Sequence, residues 1–251
     1  MPYSKLIISG LQAELYVYEK SPSTDKQRRH VLRDMGIVRG DVPSERQLGK
    51  RQENQRHVTL AFRRLVLANF IESEAPIFVT FTFRVYQPIR EGYKSFNLFI
   101  KRLRYQFGEN LKYIAVPEFG KQNTQRLHFH ALIWNLPLEQ MRRERETRTL
   151  AKIWEYGFVD VVVTDGNPKI GSYLAKYMSK AYVHPDMNNQ KSYVTSRNIL
   201  RPIIYKSFAS LILDYELSAD MTPVKSNSYD TKWLGRCEYK LFKLNEPHLK
   251  K

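Results

Sequence analysis

The segment that most constrains the fold is the run LHFHALIW at residues 127–134, which combines aliphatic and aromatic side chains with two histidines. A run of this length, preceded by the polar turn residues QNTQR, predicts a β-strand. Side chains at positions i and i+2 of a strand lie on the same face, so His128 and His130 lie side by side and Phe129 lies on the opposite face. Two adjacent imidazoles can bind one metal ion together. A lone His-x-His is more often packed or solvated, so its meaning depends on its context.

Apolar alternation and helical periodicity around this segment predict a mixed domain. Further strands are predicted at residues 77–84, 111–117 and 158–164, a turn at 165–168, and helices at 50–70, 88–107, 138–156 and 169–182. The order is strand, helix, two strands, helix, strand, helix. It favours an α+β fold in which an antiparallel β-sheet is flanked by helices.

The chain has 251 residues, enough for one domain with a buried core and additional segments. We divide it into an N-terminal extension at residues 1–48, a central domain at 49–205 and a C-terminal extension at 206–251. The N-terminal extension contains a run that predicts a short strand or hairpin, followed by a polar, basic stretch typical of a loop or arm. In the C-terminal part, the runs ILRPIIY and FASLILDYEL are apolar enough to pack on the domain.

The charge balance narrows the class of partner. The chain carries 41 Lys and Arg against 25 Asp and Glu, a net charge of +16, which favours nucleic acid first and an anionic membrane surface second. The 16 Tyr and 13 Phe are consistent with aromatic platforms for single strands. No stretch reaches the length of a membrane span, so we expect no membrane partner. The single cysteine, Cys237, rules out a disulfide framework within the chain and suits a reducing cytoplasm.

Glu118 provides the first context for the histidine pair. It ends the strand before the histidines, ten residues ahead of His128, and lies beside them if the two strands form a hairpin. Two imidazoles and one carboxylate with open positions make a divalent-metal site. With an oxygen ligand and a phosphate substrate, Mg²⁺ or Mn²⁺ is the expected cofactor. Taken alone, Glu118 reads as a solvated turn residue.

The second context is a doubled Tyr-x-x-Lys pattern, in which Tyr173 precedes Lys176 and Tyr177 precedes Lys180. Residues four apart project from nearly the same face of a helix, so both hydroxyls can reach one reaction centre. A lysine near the phenol or the phosphate favours the charged transition state. The alternative is a helix with half-buried tyrosines and solvated lysines. Combined with the histidine pair and its metal ion, the pattern predicts a tyrosine that attacks a DNA phosphodiester and forms a phosphotyrosyl intermediate.

Three segments, in this order, resemble the motifs of HUH endonucleases that initiate rolling-circle replication. They are Phe78–Phe83 (FVTFTF), Leu127–Trp134 (LHFHALIW) and Tyr173–Lys180 (YLAKYMSK). The resemblance covers roughly residues 50–205 and implies an RRM-like palm. It also implies that His128, His130 and Glu118 hold the metal.

Within that group the chain is most similar to two-tyrosine initiators of small single-stranded DNA phages and related plasmids. Such a pair implies that one tyrosine cleaves and the other later accepts the strand. The resemblance implies Tyr177 as the first nucleophile and Tyr173 as the second, with Lys180 and Lys176 assisting. It implies a replication origin in single-stranded DNA as substrate, a bacterial host cytoplasm as location, and no small-molecule cofactor.

The chain departs from related groups in two respects. It contains no Gly-x-x-x-x-Gly-Lys-Ser/Thr run, so unwinding and synthesis are expected to depend on a host helicase and polymerase. No third histidine stands a few residues after the pair, where Ala131 to Trp134 follow, and this disfavours a conjugative relaxase. Three alternatives stay open: an HUH transposase, a non-catalytic single-stranded DNA-binding protein, and a structural metal site at the histidines, for which this ligand set is poor.

Overall fold

A computed structural model describes residues 3–23, 48–70, 75–120, 126–164, 169–182, 184–187, 190–206 and 222–246. The chain divides into two compact units, one formed by Met1–Ile71 with Leu200–Lys251 and the other by Glu72–Ile199. Each contains a five-stranded antiparallel sheet. The predicted α+β class, an antiparallel sheet flanked by helices, is confirmed.

The Glu72–Ile199 unit carries all the predicted site residues. Its strands are β3 (Ile77–Phe83), β4 (Lys112–Phe119), β5 (Leu127–Trp134), β6 (Gly157–Val163) and β7 (Val194–Thr195). Its helices are α2 (Ile89–Phe107), α3 (Leu138–Arg142), α4 (Glu144–Thr147), α5 (Thr149–Trp154) and α6 (Lys169–Tyr182), followed by a 3₁₀ turn at Pro185–Met187. The strand order is β6-β3-β5-β4-β7.

The two faces of this sheet differ because the strand sequences alternate. On one face, Phe81 of β3 and Phe129 of β5 are fully buried and pack against Phe96 of α2. Trp154 of α5 packs on Phe81 in the same core. The opposite face carries the polar side chains of β3, β4 and β5, and α6 packs over β4 and β5 there. One face therefore stabilises the fold and the other is available for chemistry.

The prediction of one continuous helix at residues 138–156 is wrong, because the structure has three short helices there, α3, α4 and α5. Arg148, between α4 and α5, has a left-handed backbone conformation with φ of 51°, which ends a helix. The break is stabilised by the buried Glu144, whose Oε1 accepts the backbone N–H groups of Leu150 at 2.7 Å and Ala151 at 3.1 Å. The carboxylate thus caps the first turn of α5.

The other unit joins the two ends of the chain in one sheet. It comprises β1 (Tyr3–Ser9), β2 (Gln12–Tyr18), α1 (Leu48–Leu67), β8 (Ile203–Lys206), β9 (Lys225–Thr231) and β10 (Gly235–Lys243), with strand order β8-β1-β2-β10-β9. The hairpin anticipated near the N-terminus is β1–β2. The bounds of the two units differ from the sequence-based bounds at residues 48 and 205, because β1 pairs with β8 and β2 pairs with β10.

A buried ion pair ties α1 to this sheet. Arg64 of α1 donates through Nε to Glu14 Oε2 at 2.5 Å and through Nη2 to Glu14 Oε1 at 2.9 Å. Tyr16 receives a further bond from Arg64 Nη2 at 2.7 Å. The turn predicted at 165–168 and the run FASLILDYEL lie outside the described residues. Among the described helices, none combines the length and apolar character that crossing a membrane requires.

Candidate active site

The two histidines are oriented by two threonines of the neighbouring strand. The antiparallel register of β3 and β5 places Thr80 opposite His130 and Thr82 opposite His128. The Thr80 hydroxyl is hydrogen-bonded to Nδ1 of His130 at 3.1 Å, and the Thr82 hydroxyl to Nδ1 of His128 at 2.9 Å. Both Nδ1 atoms are therefore engaged, and Nε2 is the nitrogen that each ring offers to a ligand.

The environment favours the neutral form of His128. Burial, and then the charge of His130, hold the pKa of His128 below its usual range. Neutral imidazole is the form that ligates a metal. His130 is more deeply buried, with 5% of its surface exposed.

Glu118 joins the histidines to α6. Its backbone pairs with His128 in the β4–β5 register, but its carboxylate contacts Nε2 of His130 at 2.7 Å. The second oxygen accepts a hydrogen bond from Lys180 Nζ at 3.0 Å. Burial opposes ionisation of Glu118, but the hydrogen bonds to His130 and Lys180 outweigh it and lower its pKa. Glu118 is therefore a carboxylate, as a ligand must be.

Of the two predicted nucleophiles, Tyr177 contacts His130 and Tyr173 contacts Tyr177. The Tyr177 ring stacks on the His130 ring, with centroids 3.7 Å apart and planes 22° apart. The Tyr177 hydroxyl donates a hydrogen bond to the Tyr173 hydroxyl. Tyr173 is 44% exposed and packs edge-on against Phe78 of β3. The two phenols thus lie together, one turn of helix apart, as the spacing predicts.

Tyr177 is a protonated phenol in this arrangement. Burial, then the hydrogen bond and charge of Tyr173, then the charge of Glu118, raise the pKa of Tyr177 well above its usual value. Attack by this oxygen therefore requires added positive charge or a proton acceptor when the substrate arrives.

The two lysines differ in their placement. Lys180 holds Glu118 and lies 5.2 Å from the centroid of the Tyr177 ring. Lys176 is exposed on α6. The structure thus brings Lys180, but not Lys176, into the group formed by Glu118, His130 and Tyr177.

The three predicted metal ligands are near one another without forming a finished cage. His130 and Glu118 are in contact, while the His128 ring is nearly parallel to that of His130 with centroids 6.4 Å apart. Across the described part of the chain, no group of three or more His, Cys, Asp or Glu is gathered closely enough to hold an ion. The donor types suit Mg²⁺ or Mn²⁺, and shared coordination requires the three side chains to come closer together. The metal assignment stays a prediction.

Thr80 and Thr82 lie in the first motif, Phe78–Phe83, and no role was predicted for them. Their role depends on the β3–β5 register, which aligns each threonine with one histidine. The available signal was the alternation of FVTFTF, which places both hydroxyls on the face opposite the buried phenylalanines.

Comparison with known proteins finds similarity over the segment that contains these residues. Residues 76–182 match the model of the replication-associated protein ORF2/G2P family. This segment is less than half of the chain. The chain is similar to replication-associated protein VP4 of Bdellovibrio phage phiMH2K, with 29% identity over 105 residues, covering 36% of this chain and 33% of that protein. It therefore spans about a third of the length of that relative. No solved structure matches the chain.

The matched segment contains every residue of the site, from Thr80 to Lys180. Residues 76–182 are therefore similar to the replication-associated protein ORF2/G2P family, and the resemblance to rolling-circle replication initiators of phages is confirmed.

Proposed function

We propose that this protein is a replication initiator that nicks single-stranded DNA at an origin through a phosphotyrosyl intermediate and later rejoins the strand. The observation that carries the proposal is a continuous set of contacts. Tyr177 stacks on His130, His130 contacts Glu118, and Glu118 holds Lys180. A nucleophile, two ligand candidates and a cation thus meet at one point of the sheet, within the segment shared with replication-associated proteins.

The proposed cleavage step exchanges one phosphodiester for another. The Tyr177 oxygen forms a bond to phosphorus while the bond from phosphorus to the 3′ oxygen of the neighbouring nucleotide breaks. The phenolic proton is transferred to that leaving oxygen. The products are a 5′-phosphotyrosyl linkage and a free 3′ hydroxyl that primes synthesis, and attack by a 3′ hydroxyl on the linkage reverses the step.

The side chains around Tyr177 have distinct parts in this step. Lys180 supplies positive charge next to the phenol, where it stabilises the phenolate and the transferring phosphoryl group. Tyr173, hydrogen-bonded to Tyr177, is placed to accept a second strand at the same centre. Mg²⁺ or Mn²⁺ bound by Glu118, His130 and His128 would neutralise charge on the phosphoryl oxygens.

In the cell, the proposal places the protein in the cytoplasm of a bacterial host. A host helicase would displace the nicked strand while a host polymerase extends the free 3′ hydroxyl.

The proposal is tested by trapping the covalent adduct. Labelled single-stranded oligonucleotides that tile the replicon are incubated with the wild type, Tyr177→Phe, Tyr173→Phe and the double variant, and adducts are resolved on denaturing gels. We expect Tyr177→Phe to lose most of the adduct and the double variant to lose all of it. Tyr105→Phe is the matched control, since Tyr105 is 95% exposed on α2. An adduct formed by the double variant contradicts the assignment.

Chelation separates the enzyme from a non-catalytic DNA-binding protein. We expect EDTA to abolish adduct formation and added Mn²⁺ or Mg²⁺ to restore it, because a divalent ion would add positive charge at the phosphoryl oxygens beyond that of Lys180. A protein that only binds DNA forms no adduct and is indifferent to EDTA.

A further inference from the structure

Strand β6 presents an unusual outer surface. Val159, Val161 and Val163 pack against the core, and the alternate side chains point to the other face. Those are Phe158, which is 58% exposed, Asp160, and Val162, which is 49% exposed. Edge strands normally carry charged side chains that prevent association, and β6 is an edge strand. Two large apolar groups there point to a ligand.

The same surface is continuous with the candidate site. Thr82 pairs with His128 on one side and with Phe158 on the other, so the three residues form one row across the sheet and share a face. At the usual spacing of neighbouring strands, Phe158 lies roughly 10 Å from His128 along this row. Helix α6 packs over β4 and β5, on the far side of the histidines from β6.

The charges around this surface suit a polyanion that carries apolar bases. The strands run antiparallel, so Arg84 directly after β3 and Arg126 directly before β5 lie at the end of the sheet where Phe158 is found. Lys180 lies beyond the histidines. Phosphates can follow these cations while bases stack on the exposed ring, as in single-strand binding grooves.

We propose that Phe158, Asp160 and Val162, the β6 platform, bind the base next to the scissile phosphate of single-stranded DNA. The proposal rests on the proposed function and adds a positioning surface to it. Phe158 stacks on the base and Val162 extends the apolar contact. Asp160, exposed between them, accepts a hydrogen bond from a base amino group, which gives a preference among bases at that position.

The platform is tested by comparing affinity with chemistry. We expect Phe158→Ala to weaken binding of the oligonucleotide that contains the nick site by about 5- to 100-fold. This is the range for loss of one base–aromatic stack. The adduct rate at saturating oligonucleotide is expected to change little, and Phe158→Trp is expected to restore affinity. Tyr105→Ala is the matched control, because it removes an exposed aromatic ring from α2. Circular dichroism verifies the fold of each variant.

Two further measurements make the inference specific. An oligonucleotide with 2-aminopurine next to the mapped nick is expected to lose fluorescence on binding the wild type and to retain it with Phe158→Ala, because stacking quenches the probe. Asp160→Asn, with its amide in place of the carboxylate, is expected to change the order of preference among the four bases at one position. A purely structural role for either side chain would change neither readout.

The outcomes separate this inference from the proposed function. If Phe158→Ala binds the oligonucleotide as tightly as the wild type, while the double tyrosine variant loses its adduct, the platform is refuted and the nicking proposal stands. If Phe158→Ala only converts a dimer into a monomer in sedimentation, β6 is a self-association edge and the platform is refuted. If the wild type neither binds single strands nor forms an adduct, both proposals fail.

Discussion

A lysine buried in the middle of β1 allows a quantitative prediction about stability. Lys5 has no measurable exposure, and its Nζ finds no hydrogen-bond partner among the described residues. Its Nζ lies 5.8 Å from the centroid of the Tyr3 ring. Burial, reinforced by the charge of Lys206 on the paired strand, lowers the pKa of Lys5 from 10.5 to about 7.

This lowered pKa sets the size and the sign of the effect. A difference between 10.5 and about 7 corresponds to roughly 4–5 kcal/mol of unfavourable free energy for the charged form in the fold. Between these two values the unfolded chain holds more protons than the folded one, so the free energy of unfolding rises with pH. The destabilisation is complete below about pH 7 and is relieved as the pH approaches 10.5.

Lys5→Met removes the charge and keeps an unbranched stem. We expect it to raise the free energy of unfolding by about 2–5 kcal/mol near pH 6, a gain that shrinks below about 1 kcal/mol near pH 10.5. Urea titrations at several pH values measure this difference. Lys243→Met, on an exposed residue of β10, is the control and is expected to stay within about 0.5 kcal/mol of the wild type. A gain that does not vary with pH would refute the reasoning.

Three other substitutions test separate contacts. Thr82→Val keeps the side-chain shape but removes the hydrogen bond to Nδ1 of His128. We expect adduct formation to need an Mn²⁺ concentration about 10- to 100-fold higher for half of its maximal rate, with unchanged circular dichroism. Arg64→Met leaves the Glu14 carboxylate buried without its partner and is expected to cost about 3–5 kcal/mol in urea unfolding, part of which a second change, Glu14→Gln, restores. Gly157→Ala would place a Cβ 2.1 Å from the backbone carbonyl oxygen of Thr82, and the backbone cannot move away without opening the β3–β6 ladder. We expect the free energy of unfolding to fall by at least about 2 kcal/mol, measured as a lower melting temperature. An unchanged melting curve would contradict this packing.

Some elements were predictable because their neighbours are local in sequence. The alternation of LHFHALIW places His128 and His130 on one face of β5, and the four-residue spacing places Tyr173 and Tyr177 on one side of α6. Both relations follow from the backbone geometry of a single strand or helix. The bounds of β5 and α6 therefore agree with the sequence prediction.

The broken helix shows where local periodicity fails. Residues 138–156 have helical spacing throughout, yet the buried carboxylate of Glu144 caps α5 and competes with a continuous backbone ladder. These hydrogen bonds span only six and seven residues, but apolar periodicity carries no signal for a side chain that caps a later turn.

By itself, the sequence determined the order of the motifs, the histidine pair, the tyrosine pair and the basic character of the chain. The tertiary structure decided that Glu118 reaches His130, and it gave each histidine a threonine partner. It also joined β1 to β8 and β2 to β10, from opposite ends of the chain. The physical reason is that pairing between distant strands depends on which edges meet after long loops close, and side-chain periodicity within a segment carries no record of that choice.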